Sequence, residues 1–573
     1  MMLSPSRLQG VGTVQPWDNP PGTVGVGRLA RIPVRHLRDE EPGCPMNRAL
    51  SVRRDVFAAE RVSSKTPREE FPFALVQELL DQLESGAAQS IEEAMERCSR
   101  TRSRCLPQHV TWSAAAAERY LDARRRDQES RDGADVPRTF RAPDAWIAFR
   151  TLEEPDERGI TDYERTVWGR QYVSDDATLR ELVIPAKGGA KERLPLPELA
   201  AVASVLYYGT PARIPSFEHH SPALRHPAPP PRPERVRVYS AGLTEGRVRL
   251  LRTTETDVFA DWTAEEIMDL HEQHVVPRLG RVLDSRERIA GAHCAGCKAL
   301  PECSVVPRVP ALLVFPPPTR PRKRRTVSVS DLRAHHDCPA RYHLTRVLKL
   351  PSSVQENEAV RRGRAVDRWL NVRHASADAP PCREVPLPAD LPGLTDDELA
   401  PALGMLRAHR ARCPLDNPAA TRFRPQHRVM AHDPQSDVMV IASCDLVYEE
   451  RGGVVVRETK TSAFPPGGRS VLLEKHPQLA LSVLLLEAGV LGGDSRRSRV
   501  ELEILRPDGV SLEEFDPGDE GTVEHARTVL ASYTVPWSVE TRYDAVPRPG
   551  YDCTGCEALS WCATGKERAT AAG

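Results

Sequence analysis

Two carboxylates and a lysine in the C-terminal half have types and spacing that could form a metal-dependent hydrolytic centre. Asp445 interrupts an apolar run, and Glu458 and Lys460 follow the next apolar run. Carboxylate oxygens suit Mg²⁺ or Mn²⁺, and such a site leaves positions open for water and phosphate oxygens. A lysine two residues beyond Glu458 shares its strand face, where its charge can orient water and stabilise phosphoryl oxygens.

A Glu-x-Lys pair alone is weak evidence, because charge pairs are common on solvated strand faces. Here residues 454–456 are all valine, so the strand before Glu458 is apolar. Charges placed in apolar strands are unfavourable without partners, which favours a functional role.

Eight of the thirteen cysteines form two sets with the same spacing. Each set joins an upstream Cys-Pro to a Cys-x2-Cys-x5-Cys triplet: Cys44, Cys294, Cys297 and Cys303 in the first, and Cys338, Cys553, Cys556 and Cys562 in the second. The strings CAGCKALPEC and CTGCEALSWC also match, which indicates a tandem duplication.

Four thiolates suit zinc and an iron–sulfur cluster equally by ligand count. A lone Cys-Pro far upstream of a triplet is unlike the paired knuckles of a zinc ribbon, so the arrangement favours the cluster. The other cysteines show no ligand pattern and are interpreted as packing residues: Cys98, Cys105, Cys382, Cys413 and Cys444.

The elements that must position these residues alternate between helix and strand. The patterns predict helices over 358–372, 477–488 and 520–532, and hairpins over 437–460 and 499–515. The first hairpin turns near Arg451 and would bring Asp445 close to opposite Glu458. The fold class predicted is α/β (mixed α+β), a mixed sheet with flanking helices.

The length predicts more than one domain, because single cores stop growing near ~250–300 residues and the chain has 573. We expect a disordered segment at 1–27, a first module at 28–310, a Pro/Arg linker at 311–325, a second module at 326–565 and a tail at 566–573. With 79 basic and 80 acidic residues, a uniformly cationic nucleic-acid coat is excluded, but a local basic channel is not. The chain lacks an apolar run of membrane length and a signal-peptide core, which predicts a cytoplasmic protein with no membrane association.

In this order of elements, the region from about Thr326 to Cys562 resembles RecB-type PD-(D/E)xK nucleases of the iron–sulfur branch. That branch includes the AddB nuclease domain and CRISPR-associated RecB-like exonucleases. The resemblance rests on Cys338-Pro339-Ala340-Arg341-Tyr342, Gly363, Asp445, Glu458-Thr459-Lys460, Gln478-Leu479 and the closing triplet. It implies two restriction-endonuclease-type modules, each with a 4Fe–4S cluster on its four cysteines.

The resemblance also implies individual roles. Asp445 and Glu458 bind the metal, joined by the Thr459 carbonyl, while Lys460 is the catalytic lysine and Gln478 helps to hold it and the substrate. Asp367 stands where the family usually has a metal-binding histidine, and aspartate can also bind Mg²⁺ or Mn²⁺.

Two further positions bear on that match. His374, further along the helix, is a weaker candidate ligand than Asp367. Ser482 stands where the family has a tyrosine, which puts a DNA contact there in doubt.

The first copy lacks this pattern. Glu198 aligns with Gln478, but the position that would match Glu458 is Thr178. The nearest strand carboxylate is Glu181, which has no lysine two residues on, and Lys187 lies too far along. This copy is predicted to be catalytically degenerate.

The function predicted is a metal-dependent DNA nuclease, a single-stranded DNA exonuclease or end-trimming activity in repair, recombination or defence. The resemblance also implies a helicase or ATPase partner, because members of the family often work beside one and this chain has no Gly-x4-Gly-Lys-Ser/Thr phosphate loop of its own. One alternative is a non-catalytic iron–sulfur module for DNA binding or assembly in a larger nuclease–helicase complex. Another is a zinc-bound structural protein.

Overall fold

A computed structural model of the chain describes residues 17–38, 43–60, 68–131, 136–214, 220–315, 323–352, 354, 356–376, 379–465 and 468–572. The chain divides into two units. The first unit comprises Met1–Val305, Leu348–Pro351 and Trp561–Ala563, and the second comprises Val306–Val347, Ser352–Ser560 and Thr564–Gly573.

The first unit has strands of at most eight residues and eight α-helices among its described residues. Its strands are β1 (Thr23–Gly25), β2 (Leu29–Pro33), β3 (Val56–Ala58), β4 (Thr139–Arg141), β5 (Ala145–Thr151), β6 (Asp162–Thr166), β7 (Arg170–Ser174), β8 (Leu179–Ala186), β9 (Arg193–Leu194), β10 (Thr210–Arg213), β11 (Leu224–Arg225), β12 (Arg235–Gly242), β13 (Arg247–Leu250), β14 (Arg252–Thr253) and β15 (Asp261–Thr263). Its helices are α1 (Pro45–Val52), α2 (Ala74–Glu84), α3 (Ile91–Arg97), α4 (Ser99–Arg102), α5 (Pro107–Glu129), α6 (Leu196–Tyr208), α7 (Ala264–Leu270) and α8 (Val276–Asp284).

One sheet of the first unit has the order β13-β12-β8-β7-β4, with β15 also paired to β12. β8 is parallel to β12 and antiparallel to β7. A second sheet has the order β11-β10-β5-β6-β2. Helix α6 is apolar on nearly all sides and buries almost its whole length in the core shared by these sheets.

The second unit contains the longest strands. They are β16 (Arg325–Ser328), β17 (Ala420–Asp433), β18 (Val438–Glu450), β19 (Gly453–Thr461), β20 (Arg499–Arg506) and β21 (Gly509–Phe515). Its helices are α9 (Val329–Asp337), α10 (Pro339–Tyr342), α11 (Glu358–His374), α12 (Asp396–His409), α13 (Arg469–Lys475), α14 (Pro477–Glu487) and α15 (Glu520–Val539); α16 (Ala563–Ala572) follows.

These strands form one mixed sheet with the order β16-β18-β19-β20-β21, and β17 pairs along β18. β18 and β19 form an antiparallel hairpin whose turn residues, Arg451 and Gly452, both have positive φ (49° and 84°). That is the backbone of a tight two-residue hairpin turn. β19 is parallel to β20, which continues antiparallel into β21. The mixed α/β fold class is confirmed, as are the predicted hairpins and the helices α11 and α14.

The same pairing scheme occurs in both units. In each, the third strand of a five-strand row is parallel to the strand on one side and antiparallel to the strand on the other, so β8 corresponds to β19. The next strands, β13 and β21, are antiparallel to their neighbours. At the other side, β4 and β17 are antiparallel to β7 and β18, whereas β16, which is parallel to β18, has no counterpart beside β7 among the described residues. The common scheme agrees with the duplication inferred from the cysteine spacing.

Three predictions about segment boundaries are wrong in part. Residues 23–25 form β1 and pair with β3, although their Gly/Pro-rich context predicts disorder; residues 1–16 of that prediction lie outside the described residues. Residues 311–315, assigned to a linker, pack in the second unit, because Ala311 and Leu313 donate backbone hydrogen bonds to Asp433. The rest of that linker includes 316–322, which also lie outside the described residues. Helix α15 extends past the predicted end at 532 to Val539, where buried Trp537 anchors its last turn.

Strands β16 and β17 were not predicted. β17 contains Pro425 and a run of charged residues, and it borders β18 at the edge of the sheet, where proline costs no ladder bond. No described helix combines the length and the apolar character that crossing a membrane requires.

Candidate active site

Asp445 and Glu458 lie where strands β18 and β19 part. The antiparallel register ends with Leu446 opposite Arg457. Beyond that point β18 continues along β16 and β17, whereas β19 continues along β20. The backbone N–H of Thr459 therefore has no strand partner on β18 and donates instead to Asp445 Oδ2 at 2.9 Å. The parting of the strands opens a space between two carboxylates.

Lys460 lies on the same side of β19 as Glu458. Its ammonium forms a hydrogen-bonded ion pair with Glu458 and lies 3.8 Å from Asp445 Oδ2. Burial lowers the pKa of Lys460, but the negative charges of Glu458 and Asp445 outweigh that effect and raise it above the ordinary lysine value. Lys460 is therefore a cation at neutral pH.

Helix α14 supplies the amide that holds Glu458. Its proline, Pro477, occupies the first turn, where no N–H is needed, and the next residue, Gln478, donates from Nε2 to Glu458 Oε1 at 3.1 Å. The hydroxyl of Ser482 donates to the Gln478 backbone oxygen at 3.0 Å and is buried. Ser482 is thus engaged within its own helix.

Asp367 reaches the same place from helix α11. Its Oδ2 accepts from Asn371 at 2.9 Å, and its pKa is raised by burial and by the charge of Asp445. A Cβ on Gly363 would stand 2.8 Å from Thr461 Oγ1, so a larger residue there would have to displace the Thr461 hydroxyl from the end of β19. The close approach brings the Asp367 carboxylate to the hairpin.

The charges of this site do not balance. Burial and Asp445 raise the pKa of Glu458 to about 7, even though Lys460 and Gln478 act in the opposite direction. Among the described residues, the three carboxylates of Asp367, Asp445 and Glu458 interact with one ammonium, that of Lys460. The donor set therefore fits a divalent cation, which would supply the missing positive charge through hard oxygen ligands.

The structure also brings together the first set of cysteines. Burial and the neighbouring thiols of Cys294, Cys44 and Cys303 raise the pKa of Cys297 to about 11. Cys44 caps helix α1, with its sulfur accepting from the N–H of Asn47 at 3.4 Å. Cys297 is therefore within electrostatic reach of the other three thiols, and thiols are the donors of zinc and iron–sulfur sites.

The second set of cysteines is largely buried, and ion pairs and hydrogen bonds join the segments that carry it. Cys338, Cys556 and Cys562 are each at most 9% exposed. Arg341, on the helix that follows Cys338, forms an ion pair of 2.9 Å with Glu557, which follows Cys556. The Arg548 backbone also donates to the Asp337 oxygen at 2.9 Å. These bonds hold the residues on either side of Cys338 against the segment that carries Cys553 and Cys556.

Two cysteines assigned to packing have a different environment. His374, Cys382, His409 and Cys413 are all buried, and each offers a ligand atom within 4.8 Å of the others. Cys382 and Cys413 are buried, as packing residues are, but they also belong to this group of candidate metal ligands, and His374 faces their sulfurs rather than serving as a substitute for Asp367. The sequence signal for this group is the spacing His409-x3-Cys413 at the end of an apolar segment, but it does not include His374 or Cys382. Cys98, Cys105 and Cys444 are buried.

The two candidate carboxylates of the first unit, Glu181 and Glu198, are bound by arginines. Glu181 on β8 is 0% exposed and lies 2.7 Å from both Arg124 and Arg131. Arg38 binds both oxygens of Glu198 at 2.6 and 2.7 Å. The remaining candidate, Lys187, donates to the Leu348 backbone oxygen at 2.9 Å.

Comparison with known protein families finds a match for most of the second unit. The model of the PD-(D/E)XK nuclease superfamily matches residues 326–563. Solved structures also match, among them the crystal structure of SSO0001, which is 16% identical over 42% of this chain and 86% of that chain, with a TM-score of 0.22. No curated protein matches the chain.

Proposed function

Since residues 326–563 carry a PD-(D/E)XK nuclease superfamily domain, we propose that the chain is a metal-dependent DNA nuclease with its catalytic centre at Asp445, Glu458 and Lys460. The observation that carries this proposal is the convergence of two carboxylates and a protonated lysine where β18 and β19 separate. An unbalanced cluster of carboxylates is costly unless it binds a cation.

Asp445, Glu458 and Asp367 would hold one or two Mg²⁺ or Mn²⁺ ions, with the Thr459 carbonyl as a further oxygen ligand. When bound, the metal polarises the phosphate and lowers the pKa of coordinated water. Gln478 fixes the orientation of Glu458 through its hydrogen bond to Oε1.

In the reaction, the oxygen of water forms a bond to phosphorus and a bridging P–O bond breaks. One proton of the water passes to the leaving oxygen, which becomes a hydroxyl, and the other is released from the new phosphate monoester to solvent. Lys460 contributes as a cation rather than as a base, because its pKa is raised. Its ammonium stabilises the charge that accumulates on the phosphoryl oxygens, and it can orient the attacking water.

We further propose the RecB-like iron–sulfur branch, with single-stranded DNA or DNA ends as substrate and a helicase or ATPase as partner. The two sets of four cysteines support this assignment, and each set would carry a 4Fe–4S cluster. The roles that fit such an enzyme are DNA repair, recombination and defence, in the cytoplasm. The first unit would then serve as a scaffold or a DNA-binding surface.

The decisive variant is Lys460→Ala. We expect kcat for Mg²⁺-dependent cleavage of end-labelled single-stranded DNA to fall by about 10²–10³-fold, the range for losing one preorganised electrostatic group. Lys191→Ala, at an exposed lysine of the first unit, should retain wild-type activity. The visible absorbance of anaerobically purified protein should be the same in both variants.

Cleavage that persists unchanged in Lys460→Ala would refute this catalytic centre. If the wild-type protein cleaves neither DNA nor RNA with Mg²⁺ or Mn²⁺ but still binds DNA, the non-catalytic assembly module is the correct function instead.

A further inference from the structure

We propose that His374, Cys382, His409 and Cys413 form a closed zinc site within the second unit. The site does not depend on the nuclease activity and is separate from both sets of four cysteines. Its ligands come from three places in the chain: the last residue of α11, the loop after it, and the end of α12 with the segment that follows.

The distances between ligand atoms fit a single metal ion. His374 Nε2 lies 3.6 Å from Cys382 Sγ and 3.8 Å from Cys413 Sγ. With zinc–nitrogen and zinc–sulfur bonds of about 2.0–2.3 Å, the edges of a tetrahedron are about 3.3–3.8 Å. The four ligand atoms are within 4.8 Å of one another, so little movement would be needed to close the shell.

Burial distinguishes this group from a chance surface cluster. The exposed fractions of His374, Cys382, His409 and Cys413 are 4%, 0%, 1% and 4%. Buried polar atoms normally have hydrogen-bond partners. However, His409 Nε2 has no hydrogen-bond partner among the described residues. A metal ion would satisfy that nitrogen.

A carboxylate orients the same histidine from behind. His409 Nδ1 lies 2.8 Å from Glu503 Oε1, and Glu503 is fully buried. Histidines that bind zinc commonly donate their other ring N–H to a carboxylate, which fixes the tautomer and the ring orientation. Glu503 therefore leaves Nε2 as the nitrogen available for the metal.

The donor types identify zinc and a structural role. Two thiolates and two imidazoles suit Zn²⁺, and four protein ligands leave no open position for water or substrate. On binding, both cysteine thiols release their protons to solvent. The ion would join the ends of α11 and α12.

The site also adjoins the catalytic hairpin. Glu503 Oε2 accepts from Thr459 Oγ1 at 3.1 Å, and the Thr459 N–H binds Asp445. Zinc at His409 would thus stabilise a buried chain of contacts, His409–Glu503–Thr459, that ends at the candidate active site.

The test is the zinc content of the full-length protein, purified anaerobically and measured by elemental mass spectrometry. We expect the Cys382→Ser/Cys413→Ser variant to hold one zinc fewer per chain than the wild type. The matched control is Cys98→Ser/Cys105→Ser, which also replaces two buried cysteines and should retain wild-type zinc. Zinc located elsewhere, for example in the sets of four cysteines, would be equal in all three proteins.

A second measurement needs no variant and so survives a folding failure. X-ray absorption at the zinc edge of the wild-type protein should show nitrogen ligands at about 2.0–2.1 Å beside sulfur ligands at about 2.3 Å. Equal zinc in the wild type and the double variant, a zinc shell of sulfur alone, no zinc in the wild type, or a Cys382–Cys413 disulfide would each overturn the proposal. None of these outcomes bears on the cleavage assay.

Discussion

Glu181 in the first unit and Glu458 in the second are buried carboxylates on the third strand of the same pairing scheme, but their partners differ. Glu181 lies between two guanidinium groups, those of Arg124 and Arg131, which hold its pKa below the ordinary value although burial alone would raise it. Glu458 shares one lysine with Asp445, and its pKa is raised to about 7. The same strand arrangement thus holds two different carboxylates. The charge of Glu181 is neutralised by arginines of its own unit, whereas the charge of Glu458 is only partly neutralised by Lys460.

The largest effect expected from this difference is on stability. Glu181→Gln should lower the free energy of unfolding by about 3–5 kcal/mol at neutral pH, because it leaves two buried guanidiniums to share the single carboxylate of Asp127. Glu458→Gln should instead maintain or raise stability at pH 8.5, by up to about 3 kcal/mol, while abolishing cleavage. Denaturant midpoints measured without added Mg²⁺ test both.

The pH dependence has opposite signs at the two sites. The pKa of Glu181 is lowered on folding, so its contribution is present above the pKa of an unfolded glutamate and is lost as pH falls through the folded value. The pKa of Glu458 is raised, so its contribution is present in acid and lost as pH rises through about 7. If the two variants shift the midpoint in the same direction at pH 8.5, the contrast between the units is wrong.

An intermediate effect, on the cleavage rate, is expected when Gln478 of the second unit is replaced by glutamate, the residue that the first unit has at the matching position 198. Gln478→Glu should reduce kcat by about tenfold or more, because it replaces a hydrogen bond to Glu458 by a like charge. In the first unit the matching Glu198 is neutralised by Arg38. Steady-state cleavage rates measure the change, and Ser482→Ala, which removes a bond within the helix, should stay within about twofold of wild type. Unchanged kcat in Gln478→Glu would show that this residue does not position Glu458.

The smallest effect concerns a helix glycine in each unit. Gly280→Ala in α8 should stabilise the first unit by up to about 1 kcal/mol, because its Cβ would meet only ordinary contacts at 3.6 Å or beyond. Gly363→Ala in α11 should give no such gain and should slow cleavage a few-fold, because the methyl group meets Thr461 Oγ1. Melting temperatures and rates check both, and Thr461→Ala should restore the rate of Gly363→Ala. Equal stabilisation by the two alanines would remove the argument for a close approach.

The local pattern of the sequence was sufficient to predict the β18–β19 hairpin and the positions of Asp445, Glu458 and Lys460 on it. Strand alternation, the Arg451-Gly452 turn and the Glu-x-Lys spacing are short-range features, so they predict that Asp445 and Glu458 face one another. The edge strand β17 could not be predicted because its sequence is charged and contains a proline. It forms a strand through its pairing with β18, which local sequence patterns do not reveal. The cluster of His374, Cys382, His409 and Cys413 was missed because its ligands meet only when α11 and α12 pack together.

The tight turn at Arg451-Gly452 has a further consequence for the order in which the site assembles. Closing a two-residue loop loses little chain entropy, and isolated hairpins form in about 1–10 μs. We therefore expect Asp445, Glu458 and Lys460 to come together in an early, local step of folding. Asp367 and Gln478 join them only when distant helices dock, so the capacity to bind metal should appear late, after the carboxylates of the hairpin are already paired.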